Sequence, residues 1–227
     1  MPKPSQTEEV NASLNHLKRG IVRPANFYLL LLILLPFLQL CYHTLQKNYP
    51  PLDLSIFNLL ESYRSPLLDF IFINVYRLSG TYFTGSVVLI TLITLIRRRY
   101  WSEVQALVFA TLGILLMVDE VLKPFFDRSR PPKPRLVKYL SPDCFPSGHA
   151  AGNLVFYFYM SVIIAARYPH LVKYVYGFSS GIVLLIGFSS VYVKAHWATD
   201  ILAGYVFGYC WLLMSLLLLQ FLHRRQK

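Results

Sequence analysis

The chain has 227 residues, of which 55% are hydrophobic and 15% charged, with a formal net charge of +11. Apolar runs of this length exclude an ordinary soluble domain and are a membrane signature. The positive charge does not point to nucleic acid, because the cations sit in short loops between apolar runs and not along one soluble face. Cys41, Cys144 and Cys210 are scattered and form neither a disulfide framework nor a metal motif.

In chain order, residues 1–26 read as a polar cytoplasmic tail. The first apolar run, Phe27–Leu45, is too long and too far from the start for an ordinary signal peptide, and no small-residue cleavage site follows it. It therefore reads as a retained spanning helix. Lys47–Gly80 is mixed, with Asp53, Glu61, Arg64, Asp69 and Arg77 punctuating apolar residues at helical spacing. That pattern predicts amphipathic helices lying at the interface. The alternative is one more short span over Pro66–Leu78. Clearer spans follow at Tyr82–Ile96, Trp101–Leu122, His149–Ala166, Val175–Val193 and His196–Leu222, and residues 223–227 form a second cytoplasmic tail. The expectation is an all-α fold: one integral membrane domain over 27–222, built as a six-helix bundle with interfacial helices between the first and second spans. No internal repeat or low-complexity segment divides it.

Loop cations set the orientation. With the N-terminus inside, twelve of the 22 cations fall inside and ten outside. Seven of those ten are Lys194 and the six of the segment Lys123–His149. If those seven serve a ligand, the contrast becomes twelve against three. This orientation puts Lys123–His149 and Ser189–Asp200 on the extracytoplasmic side.

Lys123–His149 carries six Lys or Arg against two Asp between two apolar spans. Charge is expensive beside lipid, so the cluster reads as a site for an anion, and phosphate oxygens suit it best. The segment ends in Pro146-Ser147-Gly148-His149 where a new apolar helix begins. Ser147 is placed to cap that helix, Gly148 to let a ligand approach the backbone, and His149 to supply a proton. The N–H groups of a helix start favour an anion. Further on, His196 and Asp200 are four apart and share a helical face. A carboxylate beside an imidazole fixes its tautomer and suits a nucleophilic histidine.

Taken in order, Lys123 with Arg130-Pro131, Pro146-Ser147-Gly148-His149, and His196 with Asp200 resemble the three signature motifs of the type 2 phosphatidic acid phosphatase superfamily. That superfamily includes lipid phosphate phosphatases, undecaprenyl pyrophosphate phosphatases and related haloperoxidases. The resemblance covers about Leu52 to Leu222, six-helix layout included. It implies that His196 attacks phosphorus to form a phosphohistidine, that Asp200 orients it, and that His149 protonates the leaving oxygen and then activates water. Lys123, Arg130 and the backbone N–H groups of Ser147, Gly148 and His149 would hold the phosphoryl oxygens. No metal or cofactor is implied, since fixed cations stabilise the charge. One position departs from the pattern: Ser190 stands where the third motif carries arginine. Lys194, at a position where the family often has glycine, is a candidate replacement, though as a point charge and not a fork.

Blander roles compete for several residues. Lys123 alone reads as a snorkelling helix-end lysine. Asp119 and Glu120, one turn earlier, are placed to pair with it. Arg128, Lys133, Arg135 and Lys138 read as solvated loop charge or headgroup contacts. His43, His170 and His223 read as loop or interface residues, and Trp101, Trp197 and Trp211 as interfacial or packing aromatics. A zinc site from His149, His196, Asp200 and Cys144 is opposed by the surrounding cations. The sequence thus reads as a membrane phosphatase of a lipid phosphate or pyrophosphate. Undecaprenyl pyrophosphate, phosphatidic acid, phosphatidylglycerol phosphate and lipid A all remain open as substrates. The alternatives are a lipid phosphotransferase, or a non-catalytic lipid-phosphate binder or transporter that keeps the fold without the motif arginine. The oligomeric state stays open.

Overall fold

A computed structural model describes residues 24–47, 50–132, 134–138 and 140–225. The expected tail up to Arg23 and the final Gln226-Lys227 lie outside the described residues, as does Lys133. The described residues form helices α1 Pro24–Leu45, α2 Pro51–Ser62, α3 Pro66–Leu78, α4 Thr81–Arg97, α5 Trp101–Phe126, α6 Gly148–Arg167, α7 Val172–Tyr192 and α8 Ala198–Arg225. Among them, α5, α6, α7 with the short turn before it, and α8 are long and apolar enough to cross a membrane. Helices α3 and α4, bent by 43° at Ser79-Gly80, amount to a fifth crossing by length and composition if the bent pair is counted as one span. Helix α4 has only 17 residues. At 1.5 Å per residue that is about 25 Å, short of a hydrocarbon core of about 30 Å. Helix α1 adds 22 residues.

Local sequence explains the ends. Ser65 Oγ accepts the N–H of Leu68 ahead of Pro66, which needs no donor at that position. Ser147 Oγ accepts the N–H of Ala150 and caps α6, as its position predicts. Helix α7 ends through Lys194, whose φ of 60° is left-handed. That conformation suits glycine, which explains why a relative of this pattern would carry glycine there.

Helix α6 is the centre of the bundle. Its buried Ala151, Val155, Phe156, Tyr159 and Val162 pack with Leu107, Ala110 and Ile114 of α5 and Leu212, Leu216 and Leu219 of α8. Close approach of α6 and α8 depends on small residues. A Cβ at Gly204 would meet the Ser147 carbonyl at 2.6 Å, and one at Gly208 would meet the Ala151 carbonyl at 2.9 Å. Helix α5 is interrupted by π-helical turns at Phe109–Gly113 and Met117–Leu122. Trp211 of α8 uses the first, donating its indole N–H to the Phe109 carbonyl and stacking on the Phe109 ring, so it belongs to the bundle and not to an interface. The second carries Asp119 and delivers Lys123 to the site. Exposed Ile90, Phe178, Leu184, Leu202 and Leu217 form the outward apolar surface expected to face lipid.

Candidate active site

The three charged clusters meet at one end of the bundle. A cavity of about 510 Å³ opens there, and Lys123, Arg130, Gly148, His149 and His196 all line it, with Asp119 and Ser141. Away from these groups its wall is apolar, formed by Val88, Leu89 and Leu92 of α4, Val108, Leu112 and Leu115 of α5, and Phe156 of α6.

His196 lies in the turn just before α8 and is 2% exposed. The turn is tied down from two sides. The N–H groups of Ala195 and His196 both donate to the Ser190 carbonyl, and the Asp200 carboxylate accepts the N–H of Trp197 at 2.8 Å. The ring Nδ1 stands 2.9 Å from the Cys144 carbonyl and 3.6 Å from Asp200 Oδ2. A carbonyl only accepts, so Nδ1 carries the proton and Nε2 is left with its lone pair. Sequence spacing anticipated Asp200 as the orienting partner; the nearer acceptor is the Cys144 carbonyl, which spacing does not reveal. Burial lowers the pKa of His196, the Asp200 carboxylate raises it, and Arg130 lowers it, with a net fall from 6.5. The imidazole is therefore neutral at pH 7, as a nucleophile requires.

Arg130 Nη1 lies 3.4 Å from His196 Nε2. Four of its five N–H groups are spent on the protein: on the Ser141 carbonyl and hydroxyl, the Asp143 carbonyl and the Ala195 carbonyl. The guanidinium is held rigidly, with one N–H left at the His196 edge of the cavity. Lys123 Nζ is paired with Asp119 Oδ1, as their spacing predicts. A Cβ built on Gly148 would lie 4.0 Å from that Nζ and 3.6 Å from Asp119 Oδ1. Lys123 thus hangs over the start of α6.

His149 faces His196 across the cavity, ring centroids 6.4 Å apart. It stacks on Tyr76 of α3 at 4.5 Å and 14°. Its carbonyl accepts from Asn153 Nδ2, which also reaches the Ser79 carbonyl at the α3–α4 bend. Tyr76 and Asn153 line the cavity and were not anticipated. Neither motif spacing nor charge signals them, because their role comes from a bend that only the fold creates.

Some anticipated ligands are placed otherwise. The N–H of Ser147 is already donated to the Asp200 carbonyl at 3.0 Å. The helix start therefore offers a phosphate the N–H groups of Gly148 and His149, and the Ser147 side chain acts as the cap. Ser190 is fully buried, its hydroxyl spent on the Ile186 carbonyl inside α7. Lys194 reaches the other way, to Glu61 Oε2 of α2 at 2.6 Å and over the Phe57 ring. The Lys194 hydrogen bond and charge hold the Glu61 carboxyl below its ordinary range. Neither Ser190 nor Lys194 lines the cavity.

The largest correction concerns Arg128. It is not a solvated loop cation but is fully buried. Its Nη1 donates to Asp200 Oδ1 and, at 2.8 Å, to Thr199 Oγ1. Its Nη2 donates to Asp53 Oδ2 at 2.6 Å. Burial opposes its charge, but Asp200 and Asp53 raise its pKa above the ordinary value. Asp53, taken from the sequence as one more interfacial charge, is 2% exposed. Arg135 and Lys138 remain on the surface side, Arg135 bonded to the Pro131 carbonyl. The Cys144 thiol, its pKa raised by burial, donates to the carbonyls of Arg128 and Ser129. A thiol so engaged is no thiolate ligand, and with Arg130 beside His196 the donor set does not suit zinc.

The sequence pattern of the PAP2 superfamily matches residues 104–224. The chain belongs to this superfamily. A curated relative, phosphatidylglycerophosphatase B of Bacillus subtilis (strain 168), is 34% identical over 115 residues, 49% of this chain and 55% of that protein. The chain thus spans about half the length of the curated relative it matches. The crystal structure of a transmembrane PAP2 type phosphatidylglycerolphosphate phosphatase from Bacillus subtilis superposes with a TM-score of 0.70 at 25% identity. That likeness covers 87% of this chain and 96% of the other. The all-helical membrane architecture inferred from the apolar runs is therefore shared with a PAP2 phosphatase.

Proposed function

We propose that the protein is a membrane phosphatase that removes a phosphoryl group from a lipid phosphate through a phosphohistidine. The observation that carries this reading is the pair His196 and His149 facing each other across one cavity, with Lys123 and Arg130 at its polar end. The His196 Nε2 lone pair attacks phosphorus; a P–N bond forms and the bond to the leaving oxygen breaks. His149 gives that oxygen a proton. It then takes one from a water, which attacks phosphorus and breaks the P–N bond to free phosphate. Lys123, the Arg130 N–H that lies at the His196 edge and the start of α6 balance the phosphoryl charge, which is the main requirement of phosphoryl transfer. The apolar wall along α4, α5 and α6 suits an acyl or isoprenoid chain. Among lipids, phosphatidylglycerol phosphate is favoured by the names that both relatives carry.

The site opens on the extracytoplasmic side in the orientation set by the loop cations. A cysteine at the exposed Pro134 is expected to react with an impermeant reagent added to intact cells; protection there would reverse the orientation. The activity is tested by phosphate release from purified protein over phosphatidylglycerol phosphate, phosphatidic acid, undecaprenyl pyrophosphate and lipid A. Release from at least one lipid, persisting in excess chelator, is expected. Absence of release from all four would favour a non-catalytic binder, the reading to which Ser190 in place of arginine lends weight. Transfer of phosphate to a lipid acceptor without release would make it a phosphotransferase.

A further inference from the structure

Behind His196 lies a row of three buried ionised groups, Asp53, Arg128 and Asp200. Thr199 closes the row: its N–H donates to Asp53 Oδ1 at 3.0 Å and its hydroxyl to Asp53 Oδ2 at 2.6 Å. Asp200 and Arg128 are fully buried and Asp53 nearly so. Burying three ions in sequence is a poor way to gain stability, since desolvation offsets most of the attraction. The row ends on the carboxylate that stands beside the His196 ring. Asp53 comes from α2, outside the stretch 104–224 that the family pattern covers.

We propose that Asp53 is a positioning residue for the reaction: by neutralising Arg128, it leaves the Asp200 carboxylate enough negative charge to support His196. The proposal rests on the reading of His196 as nucleophile. Arg128 alone would draw the Asp200 charge toward itself. With Asp53 attached, the row carries one net negative charge, and Asp200 can stabilise the imidazolium character that develops as Nε2 bonds phosphorus. Asp53 also fixes the guanidinium from the far side, so that Nη1 meets Asp200 Oδ1 while Oδ2 stays with Trp197 and His196.

The sign of the effect can be worked out from the groups that face His196. These are Asp200 from α8, Arg130 and Cys144 from the loop, His149 from α6 and Lys123 from α5. Asp119, paired with Lys123, and Tyr76 of α3 line the same cavity, and Asp200 is the anion that stands against the ring. In Asp53→Asn, Arg128 keeps its charge uncompensated, Asp200 is weakened, and His196 should hold its proton less well. In the double variant Asp53→Asn/Arg128→Gln the carboxamides keep a hydrogen-bonded pair, Asp200 is released from the cation, and His196 should hold its proton more tightly than in the wild type. Opposite shifts from one network are not what loss of packing gives.

The test is the pH dependence of diethylpyrocarbonate modification of His196, quantified by peptide mass spectrometry on folded, monodisperse protein. The reagent attacks neutral imidazole, so the titration needs no turnover. The apparent pKa of His196 is expected to fall by at least about half a unit in Asp53→Asn and to rise by a similar amount in the double variant. On a substrate that the wild type turns over, Asp53→Asn should lower kcat about tenfold with KM within about twofold, since ground-state contacts are untouched. If only the double variant folds, its upward shift carries the proposal. A His196 titration unchanged in whichever variants fold, or failure of both to fold, would make the row structural and overturn the assignment. Absence of turnover with the shifts intact would instead count against the phosphatase reading and leave this one standing.

Discussion

Both ends of the bundle bury ionisable groups, and they do so differently. At the end away from the cavity, Glu103 of α5 meets Arg167 of α6 at 3.4 Å and His223 of α8 at 3.5 Å. Arg167 also lies 4.0 Å over the Tyr100 ring, and the Glu103 carbonyl accepts from Tyr159. Each charge there is turned onto a protein partner. At the other end Arg128, Asp53 and Asp200 are matched in the same way, but His149, His196, the Lys123–Asp119 pair and the His196 edge of Arg130 line an open cavity. A cluster closed between helices ties them together; one that lines a cavity is available for chemistry. The difference lies in what faces the cavity, not in the residue types, since each end has an arginine, a carboxylate and a histidine.

Substitutions at the two ends should separate along this line. The largest effect is expected at His196: His196→Ala should cut turnover by at least about 10³-fold while lipid binding persists, measured by initial rates and by sedimentation with vesicles. Activity close to wild type would transfer the nucleophile elsewhere. In the wild type, kcat/KM should fall as pH is lowered through the pKa of His196. Burial and Arg130 favour the neutral ring, so that limb should lie below 6.5. A limb above 6.5 would contradict the environment described for His196. Arg130→Lys removes a rigidly held fork and should cost about 1.5–3 kcal/mol, or roughly one to two decades in kcat/KM. At the far end, Glu103→Gln should leave kcat unchanged but lower the thermal midpoint, the loss being about 3–5 kcal/mol for a buried ion pair broken on one side. A kinetic defect there, with unchanged stability, would erase the contrast between the two ends. The smallest effect is expected at Lys194. Its partner Glu61 is 45% exposed, so Lys194→Ala should cost no more than about 1 kcal/mol and leave activity within about twofold. A large loss of activity there would restore Lys194 as the substitute for the missing motif arginine.

Much of the site was legible because it depends on local sequence. Ser147 caps α6 because its side chain and the Ala150 N–H are three residues apart. Asp119 and Lys123 pair because they are one turn apart. The spans were readable from apolar runs, while the 43° bend between Pro66–Leu78 and Thr81–Arg97 was not. What stayed hidden depends on distant partners. Arg128 sits two residues before Arg130 and looks the same in sequence. The partner that buries it, Asp53, is 75 residues away. His223 was read as an end-of-chain interface residue for the same reason, since Glu103 lies on another helix. His196 precedes α8 instead of sharing its face, so its nearest acceptor is a loop carbonyl that no side-chain pattern encodes. The Ser190 hydroxyl folds back onto α7. Neither the Ser190 hydroxyl nor the Lys194 ammonium lines the cavity, and in the proposed reaction the charge around a phosphate would rest on Lys123, Arg130 and the start of α6.

The most direct test of the account is to trap the intermediate. Protein mixed with a phosphate-labelled lipid on which it turns over is quenched in alkali, digested and mapped by mass spectrometry. The account expects an acid-labile, alkali-stable phosphoryl group on His196, absent from His196→Ala, with His149→Ala slowing both its formation and its hydrolysis. Turnover with no phosphoryl group on His196, or with one on another residue, would contradict it.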